Sequence, residues 1–312
     1  MSEILYGIFV APLKDVAGAP GFFVEVLLGG IFAGLMYSLV ALGFVLIYKA
    51  SSVFNFAQGA MVLFAALTLV GLLERGVPVP AALLATALVM VALAFAIERA
   101  VLRPLVNQQP IVLFMATIGL TFFLEGFGEM LWGANVKKLD IGIPDRSFSI
   151  KGVQVNELEL TAGITAAVLV AIMAVFFHRT KIGRALRAVA DDHEAALSIG
   201  IPLKTIWVIV WSVAGLVAIV AGLMWGAKSG VQFSLSLVAL KALPVLILGG
   251  FTSVPGAIVG GLIIGVGEKL GEVYWGPLVG GAIENWFAYV VALVFLLVRP
   301  QGLFGEKIIE RV

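Results

Sequence analysis

The sequence predicts an all-α, multi-pass membrane protein, and three observations carry that expectation. Of 312 residues, 61% are hydrophobic and only 12% charged, where soluble domains carry about 25% charged residues; mean hydropathy is +1.11. Apolar stretches near the ~20 residues that cross a bilayer recur along the whole chain. Glycine is abundant at 36 residues, against a usual ~7%, as expected where helix backbones pack closely in lipid. Residues 1–312 therefore read as one transmembrane domain of 8–9 elements, some of them discontinuous.

Met1-Ser2-Glu3 lacks the basic start of a cleavable signal. The apolar run at 4–10 is too short to cross, so an interfacial helix is expected there. Candidate spans follow near 24–47, 59–73, 80–101, 110–132, 159–178, 205–227, 237–250, 255–272 and 280–298. The second and seventh are short for a full crossing. Between the fourth and fifth, 133–158 forms a polar connection, expected to be external. Its pieces Arg146-Ser147-Phe148-Ser149-Ile150 and Val153-Gln154-Val155, split by Lys151-Gly152, alternate as a hairpin does. It is either a connector or a surface for a soluble binding protein. Between the fifth and sixth spans lies a charged island, His178 to Lys204. Short basic loops favour the cytoplasm. With the island inside, alternation also puts Lys49, Arg99, Arg103 and Arg299 inside and the N-terminus outside.

Two interruptions divide the apolar runs: Ser51-Ser52-Val53-Phe54-Asn55-Phe56-Ala57-Gln58-Gly59 and Gly249-Gly250-Phe251-Thr252-Ser253-Val254-Pro255-Gly256-Ala257. Both follow Val-Leu-Ile (45–47 and 245–247) and contain Ser-Val. Such paired breaks are what an internal repeat with discontinuous helices leaves. They are alternatively two capped turns. In either case Asn55, Gln58, Gly59, Thr252, Ser253 and Pro255 are the candidates to line a solute route. After the second break, Gly256-xxx-Gly260, Gly261-xxx-Gly265 and Gly267-xxx-Gly271 have the spacing that lets helix backbones touch. Acidic residues within apolar surroundings are costly. Glu125 and Glu129 share one helix face, as do Glu268 and Glu272, and Glu284 opens the last span. They either bind protons or a cationic solute, or sit near the outer interface and pair with Lys269 or a loop lysine.

Enzyme signatures fail. His193-Glu194 begins HExxH, but position 197 is Leu. No G-x-S-x-G elbow and no G-x-x-x-x-G-K-[ST] phosphate loop is present, so no catalytic residue is assigned. Two histidines and no cysteine leave few ligands for a transition metal, and a net charge of +1 gives no case for nucleic acid.

The island is built to dock. Asp191 and Asp192 suit a helix start, where negative charge meets exposed amides. Ala195 and Ala196 are small and helix-forming, and Gly200 before Ile201-Pro202 stops the helix. Arg184 and Arg187, three apart, are placed to meet a partner's carboxylates. Glu194-Ala195-Ala196 followed by Gly200 matches the spacing with which importer membrane subunits dock onto a separate ATPase. The alternative is a solvated amphipathic linker.

Three stretches then carry a family resemblance: N-F-A-Q-G at 55–59; G-R-A-L-R-A-V-A-D-D at 183–192; and L-G-G-F-T-S-V-P-G-A-I-V-G-G at 248–261 with V-R-P-Q-G-L-F-G at 298–305. In order and spacing the chain resembles the permeases of branched-chain amino-acid ABC importers, of the LivH type. Gln58 departs from that family's histidine. The resemblance implies a bacterial inner-membrane complex with a second homologous permease, two ATPase subunits and an external solute-binding protein. ATP and Mg would sit on the ATPases and no cofactor on this chain, with 179–204 as the docking loop. The implied cargo is a branched-chain or other hydrophobic amino acid; urea, short amides and aromatic or other carboxylic acids are carried by relatives. An ion-coupled carrier using the buried glutamates, or a passive channel, are the readings from other classes.

Overall fold

A computed structural model describes residues 6–51, 54–105, 108–191, 196, 198 and 200–305. Among these, six helices are long and apolar enough to cross a membrane, and three shorter apolar helices bring the elements to nine. The chain is a multi-pass membrane protein. The N-terminal run does not span. A π-helical turn, Tyr6–Val10, leads into α1 (Ala11–Gly18), and the indole of Trp275 donates to the Ile8 carbonyl at 3.0 Å.

The axis of the molecule is α2 (Pro20–Ser51), whose most apolar stretch is 78% buried inside the chain. Its 32 residues give a length of about 48 Å, beyond a ~30 Å hydrocarbon core. Around it stand α3 (Gln58–Glu74), α4 (Val79–Ile97), α5 (Pro110–Trp132), α6 (Glu157–Arg179) and α8 (Leu203–Ser229). Between α6 and α8 lies the amphipathic α7 (Lys181–Asp191). The second half closes with α9 (Val238–Gly249), α10 (Val254–Tyr274) and α11 (Phe287–Val298), α9 being led by a 3-10 turn, Phe233–Leu237. By contrast α4 is only 28% buried, the exposure expected of a helix that faces lipid.

Glycines set the closest approach. A Cβ on Gly265 of α10 would stand 2.3 Å from the amide nitrogen of Gly34 in α2, and one on Gly34 would stand 2.6 Å from the Gly261 carbonyl. The Gly261-xxx-Gly265 pair is therefore a backbone contact within this chain, whereas Gly267 and Gly271 meet the Phe287 side chain. Across α8, a Cβ on Gly222 would meet the Val62 carbonyl at 2.7 Å, and the Trp207 indole donates to the Ala50 carbonyl at 3.1 Å.

Helix direction alternates, which sorts the loops to two ends. One end holds Lys49, the two breaks and α7. The other holds the expected hairpin, Ser147–Ile150 paired with Val153–Asn156. Lys151 (φ 52°) and Gly152 (φ 86°) both turn left-handed, as a two-residue I′ hairpin requires. Gln154 N–H donates to Glu25 at the head of α2 at 3.2 Å. Ion pairs Lys137–Glu74 and Lys228–Glu159, the latter at 2.6 Å, close the same end.

The two breaks differ in build. The second is a tight turn: Gly250 takes φ 102°, and Ser253 caps α10 by accepting from Gly256 N–H at 3.0 Å. The stretch after α11 returns to this turn, where Leu303 N–H donates to the Leu248 carbonyl at 2.7 Å and Phe304 N–H to the Gly249 carbonyl at 3.1 Å. Carbonyls left open at the end of α9 are thus satisfied from elsewhere in the chain.

Candidate solute cavity and docking face

The first break is a short aromatic crossing between α2 and α3. Phe54 stacks on Phe44 at 4.9 Å between ring centroids and meets Phe56, Phe114 and Phe251 at 6.4–6.5 Å. Phe251 belongs to the second break, so the two interruptions touch. Lys49 Nζ also reaches the Thr252 carbonyl at 3.4 Å. From α5, Thr117 holds the crossing in place: its hydroxyl accepts from Phe56 N–H at 3.1 Å.

The polar groups of the breaks nevertheless face different spaces. Asn55 is fully buried and acts locally, its Oδ1 accepting from Ala57 N–H at 3.1 Å while its amide meets Met61 Sδ at 3.7 Å. Gln58 is buried against Gly43, and neither atom of its amide has a hydrogen-bond partner. Gly59 faces a cavity. Thr252, Ser253 and Pro255 line a separate pocket of about 170 Å³ at the Lys49 end, shared with Lys49, His178 and Arg187.

Gly59 opens onto a cavity of about 260 Å³ framed by α3, α5, the turn before α9 and α9 itself. Its wall is mainly aromatic and aliphatic, with Phe44, Phe54, Phe56, Leu240 and Leu243. Phe122, Phe233 and Leu237 form a rim that is about half exposed or more. Three polar side chains reach it: Thr121, Glu125 and Ser236. The sequence marks Glu125, either as a proton or cation site or as a residue near the outer interface, and the structure puts it on the cavity wall; Thr121 and Ser236 carry no such mark. The spacing Thr117-xxx-Thr121-xxx-Glu125 was the available signal, since residues four apart share a helix face.

Glu268, Glu272 and Glu284 have partners. Glu268 is buried and accepts from the Tyr37 hydroxyl at 2.9 Å; Tyr37 in turn stacks on Trp225. Glu272 accepts backbone N–H bonds from Ala282 and Glu284 at 3.0 and 3.1 Å, closing the loop before α11. Lys269 pairs with Glu284 at 3.5 Å. Glu98 is fully buried and holds Arg103 through two bonds of 3.1 and 3.0 Å.

In the island, Thr180 caps α7 by accepting from Gly183 N–H at 3.0 Å. Leu186 and Val189 anchor α7 in the core, as does Ala196 beyond it, while Arg184 is exposed. Arg187 turns toward the pocket at the second break. Gly200 adopts φ +84° with open space around it. Asp191 ends α7; Asp192, Glu194 and Ala195 lie outside the described residues.

These features define a membrane permease: crossing helices, a solute-sized cavity at a helix break, and a cationic helix at one end. The family described as "Branched-chain amino acid transport system / permease component" matches residues 26–299, and the chain belongs to that family. It is similar to the high-affinity branched-chain amino acid transport system permease protein BraD of Pseudomonas aeruginosa, 28% identical over 93% of this chain and 98% of that one. LivH of Salmonella typhimurium is 25% identical over the same shares. The fructose import permease FruG of Bifidobacterium longum is 24% identical over 78% of this chain and 72% of its own. As a permease component, the chain is one part of a multi-component transport system.

Proposed function

We propose that this chain is a permease subunit of a binding-protein-dependent ABC importer in a bacterial inner membrane, carrying branched-chain or other hydrophobic amino acids. The observation that carries the cargo is the 260 Å³ cavity. It is small for a ligand pocket, and its aromatic and leucine walls suit an aliphatic side chain. A sugar would need more hydrogen-bonding groups than the three polar side chains there supply. The relatives named for branched-chain amino acids align over more of the chain than the fructose permease does.

The remaining parts follow from this reading. A second homologous permease covers the exposed rim of Phe122, Phe233 and Leu237, so the solute passes between the two subunits. Two ATPase subunits, holding ATP and Mg, dock on the 179–204 loop, where Arg184 and Gly200 are exposed; Ala196 is packed in this chain's own core and is not available to them. Arg187 shares a pocket with Thr252, Ser253 and Pro255. Motion of the docked helix therefore reaches the second break, and through the Phe251–Phe54 contact it reaches the cavity. The hairpin end faces the external binding protein.

Reconstitution tests the proposal. The chain with its co-encoded partners in proteoliposomes takes up leucine or isoleucine only with ATP inside and binding protein outside. Uptake by the chain alone, driven by a sodium or proton gradient, overturns it in favour of a carrier. Flux without either energy source overturns it in favour of a channel.

A further inference from the structure

We infer that Glu125 is the residue that reads the ammonium group of the solute, and that the cavity around it is specific for a primary amine on an apolar body. This deepens the importer reading above and rests on it for the direction of transport, but not for the chemistry of the site.

The observation is an unmatched carboxylate. Glu125 is 8% exposed, lines the aromatic cavity, and has no hydrogen-bond or ionic partner among the described residues. A carboxylate that opens onto a cavity walled by phenylalanine and leucine, within a membrane helix, gains from a positive or hydrogen-donating partner. Glu98, Glu268 and Glu272 all have such partners within the chain; Glu129, half-buried one turn along the same helix, has none among the described residues.

The two hydroxyls beside it narrow the ligand further. Thr121 donates its proton to the Thr117 carbonyl at 3.0 Å, and Ser236 donates to the Phe233 carbonyl at 2.9 Å. Both therefore present only lone pairs to the cavity. No polar side chain on the wall is left to donate: a carboxylate and two acceptor oxygens face one apolar space. A group with three N–H donors and a positive charge complements that set, and a primary ammonium is such a group. A carboxylate or phosphate does not complement it. An amino acid would enter with its ammonium toward Glu125, its aliphatic side chain against Phe44 and Leu243, and its own carboxylate toward the open rim.

Glu129, one turn further along α5, lines a small recess with Asn135, Gln232 and Phe233 toward the hairpin end. Phe233 also lines the main cavity. Thr121, Glu125 and Glu129 thus form a line of acceptors about 12 Å long, running from the break to the outer surface. It gives an ammonium successive partners on the way in.

The test uses the absence of cysteine in the chain. Leu240→Cys places one thiol on the cavity wall of the complete transporter, held in nanodiscs, where a small neutral thiosulfonate labels it. Leucine and 3-methylbutylamine are expected to slow labelling, and 4-methylpentanoate, which lacks the amine, is not. Glu125→Gln removes the protection, raising the half-protecting leucine concentration about tenfold or more, the factor that goes with 1.4 kcal/mol. Glu125→Asp keeps part of it. Equal protection by 4-methylpentanoate, or full protection by leucine in Glu125→Gln, overturns the inference. The three-solute comparison needs no change at Glu125, so misfolding of that variant does not protect the idea. If ATP-driven leucine uptake persists without amine-selective protection, this site falls and the importer reading stands. If amine protection persists where ATP-driven uptake is absent, the importer reading falls and the site stands.

Discussion

Replacing Gly265 by alanine adds one methyl group where the backbones of α2 and α10 come closest. The new Cβ would lie 2.3 Å from the Gly34 nitrogen and 2.5 Å from the Gly30 carbonyl, where ordinary contact begins at 3.4 Å. The shortfall is about 1 Å, and both obstacles are backbone, so no side chain can rotate away. The helices must separate along an interface that runs through the central helix of the fold. Over-packing costs about 1–3 kcal/mol, and rigid neighbours put this case at the upper end. Gly126→Ala on α5 supplies the control. Nothing lies within 4 Å of its added Cβ, and alanine is the better helix former by about 1 kcal/mol. Gly265 is also inside a helix, so the propensity gain is common to both variants and cancels, and they should differ by about 2–3 kcal/mol in stability. Detergent-solubilised protein, heated and then sized by fluorescence-detected chromatography, gives the ordering Gly126→Ala, wild type, Gly265→Ala. Equal midpoints for the two variants would refute the close backbone contact.

The Cβ added by Gly200→Leu meets no atoms, but the substitution forces a leucine to φ +84°, a strain of about 1–2 kcal/mol. The variant should insert normally yet lose ATP-driven uptake, measured in proteoliposomes beside its ATPase rate. Asn55→Ala leaves the buried Ala57 N–H without its acceptor, a loss of about 1–3 kcal/mol that should lower the thermal midpoint of the detergent-solubilised protein. Tyr37→Phe strips Glu268 of its one hydrogen-bond donor and should cost about 1–3 kcal/mol. Adding Glu268→Leu to it should restore part of that loss, and a purely additive loss would contradict the pairing.

Spans were readable from hydropathy because lipid permits few alternatives to a long apolar helix. The hairpin was readable because Lys151-Gly152 separates two alternating strands. Helix ends were less clear: α2 runs on to Ser51, past the apolar run, because Tyr48 and Lys49 continue the helix beyond the core. The route residues illustrate the limit. Asn55 looked like a group facing a solute, but a short amide beside a helix start bonds its own backbone first. The cavity could not be read from sequence at all. It exists only because α5 comes against residues 233–243, more than a hundred positions later, and Ser236 carries no mark before that meeting.

The bonds from Leu303 and Phe304 to the last carbonyls of α9 bear on how the protein is made. A ribosome adding 5–20 residues per second delivers residue 303 roughly 3–11 s after residue 248. During that interval α10 and α11 must be threaded into the bilayer in opposite directions. Were α11 left outside or inserted backwards, Leu303 would emerge about 30 Å away, on the far side of the hydrocarbon, and the α9 carbonyls would stay open. The latch therefore records topology: it closes only on a chain whose preceding two helices have crossed the right way.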